Sequence, residues 1–292
     1  MSCTNPLLAV DLGFKDNGKR KIKILPRRFD QSLAYLTDKY GDRLLKLPCG
    51  QCLSCKLDYS KSWSLRIILE ASKYKQNCFV TLTYDDQHLP DRASKRDFQL
   101  FIKRLRKLTN NKIKYFGCGE YGSKEKRFHL HIIIFNYDFT DRIFYKRSKG
   151  GFLIYTSLIL DNLWGKGIAT VQDVTIETAG YVARYSMKKQ FDKSTPGDEY
   201  ILMSRKPAIG LKDFDYDIYE TDKIYFQGSH KVPRIYDKYA EQVFNPSFES
   251  AKYDRIKKAV FRPGIIYSCD IDEDITNRDK LIMLDNAHLL TR

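Results

Sequence analysis

RFHLHIIIF, from Arg127 to Phe135, sets two of the chain's five histidines one residue apart at the head of an apolar, β-branched run. Such a run reads as a buried strand. Successive side chains on a strand point to opposite faces, so His129 and His131 project in parallel while Leu130 points the other way. Two parallel imidazoles are either ordinary polar residues of a half-buried strand or a pair of ligands. A short motif does not choose between these, so the pair is judged by its neighbours.

Those neighbours outline a sheet. Lys112 to Gly117 (KIKYFG) alternates as a strand does and precedes RFHLHIIIF across a polar turn, which predicts a β-hairpin. Cys78 to Tyr84 (CFVTLTY) predicts another strand. Ser94 with Asp97 resembles a capping box, and Phe98, Phe101, Leu105 and Leu108 then recur on one helical face with Lys103, Arg104, Arg106 and Lys107 elsewhere. Helices are also expected over Asp58 to Tyr74, Thr156 to Trp164 and Thr178 to Gln190, with a strand over Ile168 to Val174. The order β-α-β-β-α-β-α predicts an α+β fold, an antiparallel sheet with packed helices close to the ferredoxin-like (RRM-like) pattern. Residues 1 to 47 read as strands and loops, and DKSTPGDE (Asp192 to Glu199) as a polar linker or loop.

Length, charge and aromatic content narrow the function. The 292 residues can bury a substantial core, and 42% hydrophobic with 30% charged residues is a globular composition. No apolar stretch approaches the ~20 residues that span a bilayer. The beginning, MSCTNPLLAV, lacks the basic and apolar regions of a signal peptide, so a cytoplasmic protein without membrane partners is expected. Lys and Arg outnumber Asp and Glu by 51 to 36, a net charge of +15, beside 20 Tyr and 17 Phe. Basic charge neutralises phosphates and exposed aromatics stack on unpaired bases, which suggests a single-stranded nucleic acid partner.

Gly117, Gly119 and Gly122 satisfy G-x-G-x-x-G, but they lead into a strand rather than a helix, which excludes a dinucleotide site. Positive φ in the hairpin connection is the expected use of these glycines. No P-loop motif occurs. GYVARYSMKK (Gly180 to Lys189) places Tyr181, Tyr185 and Lys188 on one helical face. A tyrosine stripe packed on the sheet is one reading, although the basic flank of Arg184, Lys188 and Lys189 suits a helix that faces phosphate. Imidazoles bind divalent ions that polarise a phosphate, and a phenol needs electrostatic help to attack as phenolate. Together the histidines and tyrosines support nucleophilic cleavage of a phosphodiester.

The CFVTLTY strand, the HLH strand with its upstream GEYG (Gly119 to Gly122), and the YVARY helix follow the motif order of the HUH endonucleases, which initiate rolling-circle replication. More closely, PCGQCLSC (Pro48 to Cys55), FVTLTYDDQHLP (Phe79 to Pro90), GEYG, YVARYSMKK, MSRKPAIG (Met203 to Gly210) and KVPRIYDK (Lys231 to Lys238) resemble blocks of the replication initiators of gokushovirus-type microviruses. That family usually has Arg-Pro before the first histidine where this chain has Arg127-Phe128, and Leu130 stands between the histidines; neither departure removes a ligand. The resemblance implies that His129 and His131 bind a divalent metal, Mg²⁺ or Mn²⁺, with Glu120 the candidate third ligand and Asp85 and Asp86 its rivals. It implies that Tyr181 or Tyr185 attacks single-stranded viral origin DNA, with Lys188 stabilising phenolate or phosphate. Host replication proteins in a bacterial cytoplasm would extend the freed end. A transposase or relaxase of the same chemistry, and a non-catalytic single-strand-binding regulator, are the alternatives. The expected organisation is an HUH endonuclease core over 76–191, an N-terminal elaboration over 1–75 holding a cysteine cluster and a helix, and a C-terminal elaboration over 192–292.

Cys49-x-x-Cys52-x-x-Cys55 stands apart from this chemistry. Three thiolates at that spacing can meet one ion and Cys3 could complete a structural zinc site; buried free thiols are the alternative. Cys78, Cys118 and Cys269 read as isolated small apolar residues, and His88, His230 and His288 as unaccompanied polar groups.

Overall fold

The structure is a computed structural model that describes residues 3–15, 20–26, 33–109, 112–122, 126–148, 150–188, 199–211, 223–226, 229–242 and 246–259. The chain divides into two compact units, one of Met1–Asp58, Tyr216–Ile224 and Asp237–Arg292, the other of Tyr59–Asp215 and Tyr225–Tyr236.

In the first unit β1 (Leu7–Phe14) pairs antiparallel with both β2 (Arg20–Ile24) and β3 (Leu44–Leu47), between which lies α1 (Leu33–Tyr40). Its apolar cluster is small: Leu36 and Leu44 are buried, with Leu8, Leu25, Leu33 and Tyr40 packed around them. The helix α2 (Leu53–Ala71) begins about a turn before the expected Asp58, because the Cys52 carbonyl already accepts the Lys56 N–H.

The second unit takes α2 from Tyr59 onward and is built on a seven-stranded antiparallel sheet, the α+β architecture that the sequence predicts. In chain order its elements are β4 (Asn77–Thr83), α3 (Lys95–Thr109), β5 (Lys114–Tyr121), β6 (Phe128–Phe135), β7 (Ile143–Arg147), β8 (Leu153–Thr156), α4 (Leu158–Trp164), β9 (Ala169–Asp173), α5 (Ile176–Lys188) and β10 (Tyr200–Met203). The strand order is β10-β5-β6-β4-β9-β8-β7, whose central β5-β6-β4-β9 has the ferredoxin-like arrangement. The hairpin β7–β8 and the edge strand β10 are additions that the sequence reading does not anticipate.

Alternation along β6 sorts the two faces. Phe128, Leu130, Ile132 and Ile134 join Val80 and Leu82 beneath Phe98, Phe101, Ile102 and Leu105 of α3 and Leu160 and Trp164 of α4. Ile133 and Phe135 point to the other face, where Phe79, Phe116 and Cys118 meet Trp63 and Ile67 of α2 and Ala179, Val182 and Ala183 of α5. His129 and His131 share the parity of this second set. A buried ion pair anchors α2 to the sheet: Glu70 accepts from Lys114 Nζ at 2.7 Å and from the Gly210 N–H at 2.8 Å.

Several local expectations are corrected. Leu108 is exposed rather than on the core face of α3. The capping box forms by half: Ser94 Oγ accepts the Arg96 N–H, while Asp97 turns to Tyr84 and Lys166. Helix α5 begins at Ile176 rather than Thr178, because Thr175 and Thr178 exchange N–H to Oγ1 hydrogen bonds across its first turn. Gly117 and Gly119 do not supply positive φ. They lie within β5, where an added Cβ would stand 2.5 Å from the His131 carbonyl oxygen or 2.5 Å from the Phe128 ring, so close packing is what requires glycine.

Candidate active site

The hairpin β5–β6 sets Glu120 directly opposite His129, and Cys118 opposite His131. Directly opposed side chains on one face stand ~5 Å apart at Cβ, so a carboxylate on β5 reaches both members of a His-x-His pair on β6. Glu120 Oε1 lies 3.0 Å from His129 Nε2 and 3.2 Å from His131 Nε2. One ligand atom from each of the three residues falls within 4.8 Å of the others. Glu120 and His131 are buried. Burial pushes the Glu120 carboxyl up, but hydrogen bonds from His129 and His131 outweigh it and hold the group below its ordinary value.

The outer nitrogens are also engaged. His129 Nδ1 lies 3.2 Å from the Arg127 carbonyl oxygen, which can only accept, so a neutral ring carries its proton there and turns the Nε2 lone pair towards Glu120. His131 Nδ1 meets Thr81 Oγ1 at 3.0 Å across the β4–β6 pairing. With Nδ1–H of His129 so committed, a lone pair and a carboxylate oxygen face each other at 3.0 Å. Only a second ring proton or a shared cation closes that contact, and two imidazoles with a carboxylate form a donor set that suits a divalent transition ion.

Phe79 stacks on the His131 ring at 5.5 Å, and Tyr181 meets it edge to face at 5.2 Å. Helix α5 thus delivers Tyr181 to the same face and the same histidine. Tyr185 and Lys188 lie on α5, but their side chains fall outside the described residues. Asp85 is engaged by His88 at 2.8 Å, and Asp86 by Arg127 at 2.5 Å; of the three candidate carboxylates the structure brings Glu120 to the histidines. Thr81 and Phe79, which sequence reasoning missed, could have been found from the TLT alternation of β4, which puts Thr81 and Thr83 on one face.

In the other unit Cys3, Cys49, Cys52 and Cys55 converge with their sulfurs within 4.8 Å. Cys78 and Cys118 are buried in the sheet, His230 contacts the Phe226 carbonyl, and Cys269 and His288 lie outside the described residues.

A family model described as a replication-associated protein of the ORF2 type matches residues 77–190. Over 298 residues the chain is 33% identical to the "Replication-associated protein ORF2" of Spiroplasma virus 4, covering 92% of this chain and 91% of that protein. The chain belongs to this family of microvirus replication-associated proteins. A second member, the "Replication-associated protein VP4" of Bdellovibrio phage phiMH2K, is 34% identical over 226 residues, covering 73% of this chain and 67% of that protein. A third, the "Replication-associated protein ORF4" of Chlamydia phage 1, is 32% identical over 182 residues, 58% of this chain and 46% of that protein. No solved structure matches the chain. In this replication-associated protein the matched segment runs from β4 to the end of α5, and so contains Glu120, His129, His131, Tyr181 and Tyr185. Among the described residues no helix is long and apolar enough to cross a membrane.

Proposed function

We propose that this replication-associated protein is a replication initiator that nicks single-stranded viral origin DNA with a tyrosine and later rejoins the strand into a circle. The observation that carries the reading is the convergence of Glu120, His129 and His131 on the sheet face against which Tyr181 packs. Glu120 and the two histidines would hold Mn²⁺ or Mg²⁺, and the two nitrogens favour Mn²⁺, because Mg²⁺ prefers oxygen donors. A divalent ion held there polarises the scissile phosphate and offsets the charge developing on its oxygens.

The chain's own residues supply the rest. The phenolate oxygen of Tyr181 or Tyr185 attacks phosphorus, and the bond from phosphorus to the 3′-oxygen breaks. The departing oxygen takes a proton to become a 3′-hydroxyl, while the 5′-phosphate remains esterified to tyrosine. In the reverse sense a 3′-hydroxyl attacks the phosphotyrosine, and the phenol leaves with a proton. One phosphoester is exchanged for another at each step, so closure requires no nucleotide hydrolysis. Two tyrosines allow a second cleavage while the first is occupied, and Lys188 stabilises phenolate or phosphate.

Single-stranded DNA also suits the sheet edge. Every residue of β7 is exposed, and Phe144 and Tyr145 there stand beside Lys146 and Arg147, a pairing of stacking surface with phosphate-neutralising charge. Residues 76–191 are the catalytic part of this reading, the flanking segments are elaborations, and the site of action is the bacterial cytoplasm, where a host polymerase extends the 3′-hydroxyl.

The test is labelled single-stranded origin DNA with Mn²⁺, resolved on a denaturing gel. The expected covalent adduct needs metal, survives in at least one of Tyr181→Phe and Tyr185→Phe, and is lost from the double variant and from His129→Ala/His131→Ala. Folded protein that binds the origin tightly and never forms an adduct would replace this reading with the non-catalytic regulator.

A further inference from the structure

The cysteine cluster lies in a different compact unit from the nicking residues, and the nicking chemistry does not use it. Its geometry is that of a ligand shell. Cys3 Sγ and Cys52 Sγ are 3.7 Å apart. Tetrahedral thiolates around zinc at ~2.3 Å stand ~3.8 Å from one another, whereas a disulfide closes to ~2.05 Å. All four sulfurs are within 4.8 Å of one another, and all four cysteines are free and only half-buried. Thiols that serve as small apolar residues are buried outright, as Cys78 and Cys118 are in this chain.

The backbone around the sulfurs favours thiolates. The N–H groups of Gln51 and Cys52 donate to Cys49 Sγ at 3.4 and 3.2 Å, and that of Cys49 donates to Cys3 Sγ at 3.3 Å. Gly50, at φ +74°, allows the tight turn that aims two successive donors at one sulfur. Four thiolates around Zn²⁺ leave a net charge of about −2. The buried Lys56, next to Cys55, sets a cation within electrostatic reach of Cys49 and Cys52.

We propose that Cys3, Cys49, Cys52 and Cys55 hold one zinc ion in a closed structural site. Four thiolates complete the tetrahedron and leave no position for substrate or water, so the ion has no part in nicking. Its role follows from the folding of this unit. The small cluster around Leu36 and Leu44 is thin support for the three-stranded sheet, and units with so small a core generally need a metal or a covalent staple. Zinc ties the segment before β1 to the segment that enters α2, across the 46 positions between Cys3 and Cys49.

The test uses the full chain, purified without added metal, with metal content measured by mass spectrometry. About one zinc per chain is expected in the parent and in His129→Ala/His131→Ala, and none in Cys49→Ser/Cys52→Ser. Replacement by cobalt should give the strong thiolate charge-transfer bands of a tetrahedral sulfur site. Loss of the clamp can itself unfold the unit, so a second measurement keeps to the parent: alkylation of Cys49, Cys52 and Cys55, followed by peptide mass spectrometry, should be slow until a zinc chelator is added. A parent without zinc, zinc lost from the histidine variant instead of the cysteine variant, or alkylation indifferent to chelator would each overturn the proposal. None of these readings depends on DNA cleavage.

Discussion

Thr81→Val tests the proposed metal site without touching a ligand. Thr81 stands opposite His131 across β4 and β6, and its hydroxyl meets Nδ1 of that ring at 3.0 Å while Nε2 faces Glu120 at 3.2 Å. Valine keeps the shape and β-branching that suit the strand and deletes only the hydrogen-bonding group. Loss of such an outer partner typically weakens metal binding 10- to 100-fold, about 1.4 to 2.7 kcal/mol, because the ring loses a fixed orientation and some basicity. Manganese titration by calorimetry, together with nicking rates across Mn²⁺ concentrations, should therefore show the half-saturation point moving up about 10- to 100-fold, with the rate restored at saturating Mn²⁺. The metal-free fold should lose only ~1 kcal/mol, the worth of one hydrogen bond. An unchanged metal dependence, or a loss that saturating Mn²⁺ does not restore, would refute the assignment of Thr81 as a positioning residue for a metal-bound His131.

Lys114→Ala should destabilise the second unit by ~3–5 kcal/mol in denaturant melts, because it leaves the fully buried Glu70 carboxylate without its ion-pair partner. Burial raises the Glu70 carboxyl, but Lys114 and the Gly210 N–H hold it below its ordinary value of 4.5. A lowered folded value means that its stabilisation is complete above pH 4.5 and is lost as pH falls through the folded value; thermal melts of Glu70→Gln should accordingly show a weaker dependence on acid than the parent. Gly119→Ala forces a Cβ to 2.5 Å from the Phe128 ring and 2.8 Å from Tyr200, and overpacking of this kind should cost ~1–3 kcal/mol and disturb the adjoining Glu120. Ser157→Ala deletes the side chain that accepts the Leu160 N–H at the start of α4, and should lower stability by ~1 kcal/mol.

The elements legible in the sequence are those whose pattern is local. Strands β4, β5 and β6 show their β-branched and aromatic character directly, and the hairpin pairing that brings Glu120 to His129 follows from their symmetry about one turn. Non-local partners are not legible in this way. Thr81 and Tyr181 reach His131 only through the sheet order and the packing of α5, which no short segment encodes. Strand β7 escapes because IFYKR lacks alternation and is exposed throughout, and the first turn of α2 escapes because CLSCKL reads as a metal-binding loop. Leu108 fails for a geometric reason: at ~100° per residue it lies ~80° around the helix from Phe98, so the stripe has turned away from the sheet by the last turn.

The site is also a consequence of the core on the other side of the sheet. Phe128, Leu130, Ile132 and Ile134 are buried beneath α3 and α4, and as alternate residues of β6 they force His129 and His131 to the opposite face. A slip of one residue would drive both imidazoles into an apolar layer with Trp164 and Phe101 and expose four large side chains. Desolvating two imidazoles away from Glu120 and Thr81 while losing that burial is costly on both counts. The apolar half of RFHLHIIIF therefore sets the register, and that register, with β5 paired on one side and β4 on the other, aligns Glu120 and Thr81 with the histidines. Substitutions within this core that preserve volume should leave the histidines in place, whereas those that shift the strand would abolish the site without altering any of its members.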